Sequence, residues 1–315
     1  MEIVILDGHA LNPGDLSWQC FEQFGRLRYY ARTEGEADTI ARIGNADIII
    51  LNKVSITKRI LEACPNVKLI CILATGYNVV DCVAAAERGI PVCNVPGYGT
   101  DSVAQFTFAL LLELCHHVNL HSESVHNGEW SNSPDFCYWK TPQIELAGKT
   151  IGIIGYGAIG QAVGRIAKAF GMNVLAYNRT RRSGFEYVTL DELLEKSDVI
   201  SLHCPLFPEN KGMINANAIA KMKDGVILLN TARGALLDEQ AVADALRTGK
   251  IFCAAVDVAS SEPISTRNPL LTAPNCTITP HIAWAPQEAR QRILDITIKS
   301  IQGFISGEKI NIVNM

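Results

Sequence analysis

Residues able to do acid–base and anion chemistry recur in this sequence immediately after short apolar runs. His203-Cys204-Pro205 follows 199–202, Thr231-Ala232-Arg233-Gly234 follows 226–230, Asp257 closes 252–256 with Glu262-Pro263 shortly after, and Pro280-His281 follows 276–279. In an open parallel sheet, ligands bind beyond the carboxyl ends of the strands. The residue types suit reduction of a 2-keto acid, which needs a hydride at carbon and a proton at oxygen. A histidine is the natural proton donor near neutral pH. A carboxylate beside it favours the imidazolium and fixes its orientation, and an arginine can grip the substrate carboxylate through two parallel hydrogen bonds and polarise the carbonyl. His281, Glu262 and Arg233 fill these three roles. One such residue at a strand end is ordinarily structural, but four such ends beside a dinucleotide motif form a constellation.

That motif is Gly155-Tyr156-Gly157-Ala158-Ile159-Gly160, after the apolar run 150–154 and before a helical pattern over 158–170 closed by Gly171. Gly155 permits the tight turn, Gly157 lets backbone approach a pyrophosphate, and Gly160 lets helix and strand pack closely. The helix start offers unpaired N–H groups to the anion. The spacing alone is a weak signal, and its strand–turn–helix setting strengthens it. The next strand, 173–177, ends in Asn178-Arg179-Thr180-Arg181-Arg182, where an NAD-selective site would place an acid against the ribose hydroxyls. Asn178 does not repel a 2′-phosphate and Arg179 can bind it, so the turn favours NADPH; the alternative is a solvated basic turn.

Positioning these groups requires a regular alternation of strands and helices, and the chain has it. Runs at 2–7, 47–52, 68–74 and 91–95 read as near-continuously apolar strands, with a short helix at 81–88 closed by Gly89. After Pro96-Gly97-Tyr98-Gly99 a helix, apolar nearly all round, extends to about residue 118, and a polar, aromatic-bearing loop spans 121–142. A second strand series follows at 150–155, 173–177, 199–202, 226–230, 252–256 and 276–279, and a last helix at about 287–305 is placed to pack back on the first domain. The expectation is an α/β protein with two parallel-sheet domains: a Rossmann dinucleotide-binding domain, 99–286, inserted into a flavodoxin-like domain, 1–98 with 287–315.

The 315 residues suffice for two domains, with 48% hydrophobic and a formal net charge of -4. No basic block points to nucleic acid or an anionic membrane. The longest apolar helical run, 106–112, is too short to span a bilayer. The start of the chain lacks the pattern of a signal peptide. The ten cysteines include no CxxC pair and several sit in apolar runs, which fits buried thiols in a reducing cytoplasm and no metal.

With these residues assembled, the chain resembles the D-isomer-specific 2-hydroxyacid dehydrogenases over essentially its full length. The motifs are Ala74-Thr75-Gly76, Gly155 to Gly160, His203-Cys204-Pro205-Leu206, Asn230-Thr231-Ala232-Arg233-Gly234, Asp257 with Glu262-Pro263, and Thr279-Pro280-His281. The resemblance implies that Arg233, Glu262 and His281 are catalytic, with cofactor contacts at Thr75, Ala158, Ile159, Cys204, Thr231, Ala232, Asp257 and His281. It also implies an active site in the interdomain cleft and a homodimer formed through the cofactor domains. Asn178 departs from the family's frequent Asp. Segments 94–105 and 281–285 are most similar to the glycerate dehydrogenase, or hydroxypyruvate reductase, subgroup, which implies hydroxypyruvate or glyoxylate as keto acid and D-glycerate or glycolate as product. D-lactate, phosphoglycerate, phosphite and formate dehydrogenases share the fold and differ at the substrate loop, here Asn52-Lys53-Val54 with Gly76-Tyr77. Dinucleotide-sensing co-repressors also resemble the family, but no extension for that role is evident. Ending at Met315, the chain is expected to lack the regulatory extension of many phosphoglycerate dehydrogenases.

Overall fold

The computed structural model describes residues 1–180 and 187–315. The chain divides into two compact units, 1–99 with 284–315 and 100–283. The sequence places these divisions at 98/99 and 286/287. The second falls earlier because Trp284 packs against the core of the first unit.

In the first unit the elements are β1 (Glu2–Ile5), β2 (Arg26–Tyr29), α1 (Glu36–Ile43), β3 (Ile48–Leu51), α2 (Lys58–Ala63), β4 (Leu69–Ile72), α3 (Cys82–Glu87) and β5 (Val92–Cys93). The sheet is parallel in the order β2-β1-β3-β4-β5. The inner strands β3 and β4 and the short β5 are apolar and buried at every position because both faces are covered. Ile3, Ile5, Ile48, Ile50, Leu69 and Cys71 point to one face, where Ile293, Leu294 and Ile301 of the last helix cover them. Val4, Ile49, Leu51, Ile70 and Ile72 point to the other, against Ile43, Ile60, Leu61, Ala84 and Ala85. Burying each of the Val, Ile and Leu side chains among these contributes about 1.5–3 kcal/mol.

The second unit contains α4 (Thr100–His116), α5 (Val118–His126), β6 (Thr150–Ile154), α6 (Ala158–Ala169), β7 (Asn173–Tyr177), α7 (Leu190–Lys196), β8 (Val199–Leu202), α8 (Ala216–Lys221), β9 (Val226–Asn230), α9 (Glu239–Thr248), β10 (Ile251–Val256) and β11 (Cys276–Ile278). Its six strands run parallel in the order β11-β10-β9-β8-β6-β7. Ile151, Ile153, Val199, Leu229 and Ala255 meet α4 and α6 on one face; Ile154, Ile200, Leu228 and Val256 meet α7, α8 and α9 on the other. The chain returns to the first unit with α10 (Gln287–Ser306). Near its start, Arg290 donates to both oxygens of Asp15 at 2.7 and 2.6 Å and to the Leu11 and Ala285 carbonyls.

The helix expected to reach residue 118 stops at His116, because His117 is left-handed (φ 44°), and α5 then occupies part of the expected 121–142 loop. The strand β2 and helices α1 and α2 lie where the sequence reading placed none. Among the described residues, no helix is long and apolar enough to cross a membrane. All ten cysteines are free.

At the carboxyl edge of the first sheet, the Asp7 carboxylate accepts the backbone N–H groups of Asn52, Lys53 and Val54 at 2.7, 2.6 and 3.1 Å. Asp7→Ala removes the acceptor for all three. The expected result is a loss of about 1–3 kcal/mol in urea unfolding, with faster amide hydrogen exchange at 52–54. Wild-type protection of these amides would show that another group holds the loop.

Candidate active site

The glycine turn at the end of β6 carries three different steric demands. Gly155 is left-handed (φ 97°), and a Cβ there would sit 2.5 Å from Cys204 N, so side chains are excluded twice over. A Cβ on Gly160 would fall 2.3 Å from Gly155 O, which is what lets α6 start against the turn. Gly157, by contrast, faces open space: a Cβ there meets nothing within 4 Å. Bare backbone at a helix start is the cradle a pyrophosphate requires. Beside it, Ala158 is exposed and Ile159 half-buried.

Asn178, just past β7, accepts the Tyr156 N–H on its Oδ1 at 2.7 Å and so braces the turn itself. Arg179 lays its guanidinium 4.4 Å from the centroid of the Phe207 ring, an arrangement that holds the cation at the surface. Sequence reasoning missed Phe207. Arg181 and Arg182 lie outside the described residues. Cys204 is half-buried and burial raises its thiol pKa, so it carries no reactive thiolate.

At the end of β9, the buried Asn230 closes a turn: its carboxamide accepts from Ala232 N at 3.0 Å and donates to Arg233 O at 2.9 Å. Thr231 and Ala232 are buried within it, Thr231 sharing a hydroxyl bond of 3.1 Å with Thr107. Arg233 is exposed and donates to the Ala232 carbonyl at 2.7 Å. Asn230 as the brace under Arg233 was legible only as a strand-end Asn, a residue type that favours such turns.

Asp257 is fully buried at the end of β10. Its carboxylate accepts the Thr279 hydroxyl at 2.6 Å and the N–H groups of Ile282 and Ala283, both at 2.8 Å. Inside that clamp His281 adopts a left-handed backbone (φ 57°), a conformation that non-glycine residues hold only when their surroundings impose it. Its Nδ1 meets Glu262 Oε2 at 2.7 Å, with the His281 side chain 33% exposed, enclosed enough to be oriented and open enough to reach a ligand. Of the residues singled out from sequence, His281 and Glu262 are thus brought into contact.

Lys53, Thr75, Gly76 and Tyr77 belong to the first unit. Lys53 and Tyr77 are exposed, Gly76 is half-buried, and Thr75 donates its hydroxyl to Val95 O at 2.8 Å while its carbonyl accepts from Asn94. Among the described residues, no group of three or more His, Cys, Asp and Glu is placed to hold a metal.

Residues 108–283 match the family model described as "D-isomer specific 2-hydroxyacid dehydrogenase, NAD binding domain". A hydroxypyruvate reductase from Blautia hydrogenotrophica is 54% identical over 321 aligned positions, covering 100% of both chains. The chain belongs to the D-isomer-specific 2-hydroxyacid dehydrogenase family. A glycerate dehydrogenase from Methylorubrum extorquens is 38% identical over 99% of this chain and 98% of its own. Among solved structures, an acyclic imino acid reductase in complex with NADPH and D-Arg superposes with a TM-score of 0.85 at 30% identity, over 99% of this chain and 100% of the other. The second unit of this family member is accordingly its NAD-binding Rossmann domain.

His203 sits directly behind the glycine turn and shares a 2.8 Å bond with Ser201. Burial pushes its pKa down to about 3. The unfolded chain, at about 6.5, binds the proton first, so stability is full above that pH and falls as pH drops toward 3. Between pH 7 and 5 the wild type should lose about 1–2 kcal/mol more than His203→Gln, by urea unfolding. Equal losses would place His203 in a protonatable environment.

Proposed function

We propose that this dehydrogenase reduces a small 2-keto acid, hydroxypyruvate or glyoxylate, to D-glycerate or glycolate. The observation that carries the reading is the 2.7 Å bond between His281 Nδ1 and Glu262 Oε2, which leaves Nε2 to face a substrate. The names of the similar hydroxypyruvate reductase and glycerate dehydrogenase support the choice of keto acid.

The open backbone of Gly157 and the N-terminus of α6 fit a nicotinamide dinucleotide. Gly155 to Gly160, Asn178 and Arg179 would hold it, with Thr75, Cys204, Thr231, Ala232 and Asp257 as the further expected contacts. Bound there, it supplies the hydride for C2 of the keto acid. Arg233 binds the substrate carboxylate and draws charge toward the carbonyl oxygen. His281 delivers the proton to that oxygen as the C–H bond forms, so the carbonyl becomes a secondary alcohol and the ring is left neutral. Glu262 holds the ring in the orientation that points Nε2 at the substrate. Lys53, Gly76 and Tyr77 are the proposed contacts to the rest of the substrate.

Initial rates with hydroxypyruvate, glyoxylate, pyruvate and phosphohydroxypyruvate test this. The first two should turn over best, and His281→Ala should lower kcat by about 10²–10⁴-fold while dinucleotide affinity survives. Preference for pyruvate, or full turnover by His281→Ala, would overturn it.

For the cofactor the reading favours NADPH. Asn178 brings no charge against a 2′-phosphate, and Arg179 is positioned at the rim of the same turn. A structural relative bound to NADPH is consistent with this. We expect kcat/KM to be higher with NADPH, the advantage to shrink with added salt, and Asn178→Asp with Arg179→Ala to reverse it. A wild-type preference for NADH would make the basic turn a solvated loop.

A homodimer assembled through the second unit accounts for the apolar surface after α5. Trp130, Phe136 and Trp139 are 52%, 89% and 69% exposed, on a segment fixed by Trp130 Nε1 to Phe136 O (2.9 Å) and Lys140 to Glu129 (2.6 Å). Sedimentation at the mass of a single chain would remove this reading. The free thiols fit a reducing, cytoplasmic compartment.

A further inference from the structure

Close in sequence to Glu262 lies a second carboxylate contact, between Glu239 and Ser260. Glu239, the first residue of α9, accepts the backbone N–H of Ser260 on Oε1 at 2.8 Å and the Ser260 hydroxyl on Oε2 at 2.6 Å. Ser260 lies on the short segment between Asp257 and Glu262. Its neighbour Ala259 donates its own N–H to Glu262 Oε1 at 3.2 Å, while Glu262 Oε2 engages His281. The two carboxylates therefore form a relay of position. Glu239 fixes Ser260, the adjoining peptide fixes one oxygen of Glu262, and the remaining oxygen fixes the imidazole.

The same segment is pressed from the other side. Gly234, next to Arg233, lies so close that a Cβ there would fall 1.9 Å from Ala259 C and 2.4 Å from Ser260 N. Residues 233–239 thus touch the 259–260 peptide at two points, backbone packing at Gly234 and the paired hydrogen bonds at Glu239. Arg233 is at one end of this stretch and Glu239 at the other. Packing at Gly234 stops the segment from approaching, and the Glu239 bonds resist its receding. Two short hydrogen bonds to one carboxylate are the strong, directional kind, which suits a contact that must set a distance.

We propose that Glu239 is a positioning residue that, through Ser260, sets the spacing between Arg233 and the Glu262–His281 pair. The inference rests on the reading of His281 and Glu262 given above. It predicts a defect in the chemical step with ground-state binding intact, because sub-ångström misplacement of a proton donor costs rate before it costs affinity.

The test is a set of variants of the full-length enzyme, assayed with saturating hydroxypyruvate and varied dinucleotide. Glu239→Gln replaces one acceptor oxygen by an amide donor, and Ser260→Ala deletes the hydroxyl bond. Each should lower kcat by about 10-fold, with the KM for the dinucleotide within twofold of wild type. Ser260→Thr keeps both donors and should retain wild-type kcat. The decisive comparison is made in a Glu262→Gln background, where Glu239→Gln should cost little more, because the relay is already broken. If Glu239→Gln lowers kcat by the same factor in both backgrounds, or leaves kcat unchanged while Glu262→Gln impairs it, Glu239 is not a positioning residue. If Glu262→Gln itself turns over like wild type, the underlying reading of the pair has failed, and the proposal falls with it. Thermal melting of each variant separates these outcomes from misfolding: a defect that tracks a lower Tm counts against the proposal.

Discussion

Everything at the proposed catalytic edge depends on where the Asp257 carboxylate sits. It has no exposed surface, and its three donors all come from residues 279–283. A buried carboxylate must be fully hydrogen-bonded or it is costly, so these bonds are not optional decoration of the loop. They compel the chain to turn back over the end of β10, and His281 takes its left-handed backbone within that turn. The main chain of Asp257 also starts the segment that leads to Glu262. One residue thereby roots both halves of the 2.7 Å histidine–carboxylate pair, one through its backbone and the other through its side chain.

The same device organises the rest of the molecule. Asp7 gathers residues 52–54 at the carboxyl edge of the first sheet, as Asp257 gathers 279–283 in the second. At the amino edges the two units match more closely. Asp47, just before β3, accepts the N–H of Glu2 in β1 and pairs with Lys68 at 2.8 Å. Asp198, just before β8, accepts the N–H of Thr150 in β6 and pairs with Lys223 at 2.8 Å. The Lys68 bond, with the Glu2 N–H, holds the Asp47 carboxyl below its usual range. For Asp198, burial works the other way, but Lys223 and the Thr150 N–H outweigh it and the net shift is also downward. Shared strand order and shared edge carboxylates mark the two units as variations on one plan, with the glycine turn present only in the second.

What could be read from sequence followed from burial. Strands covered on both faces are largely apolar, and that pattern is visible in the sequence. The strand β2, Arg26-Leu27-Arg28-Tyr29, lies at the sheet edge with half-buried and exposed positions, so it carries no such signature. The helix α1 is short and polar, bounded by Gly35 and Gly44, and reads as loop. Of the proposed site residues, Arg233, Glu262 and His281 stand out in the sequence because strand-end position and residue type both point to chemistry. Asp257 was recognisable as a polar strand end, but its grip on 279–283 was not, since that depends on two adjacent strands ending level. Glu239 and Ser260 are 21 residues apart with nothing in their spacing to join them. Phe207 under Arg179 was equally silent, because a surface aromatic in a loop has many ordinary uses.

The placement of α10 has a consequence for how the protein is made. Ile293, Leu294 and Ile301 cover one face of the first sheet, yet they are synthesised only after residues 100–283 have been added. At roughly 5–20 residues per second, the ribosome extends the chain for about 10–40 s with that face of β1, β3 and β4 lacking its helix. The second unit is continuous in sequence and can close its core during this interval, whereas the first unit must wait. A nascent chain of this kind carries an uncovered sheet face for longer than it takes most small domains to fold. How long that face stays uncovered is set by the length of the insertion, independently of how stable the finished enzyme is.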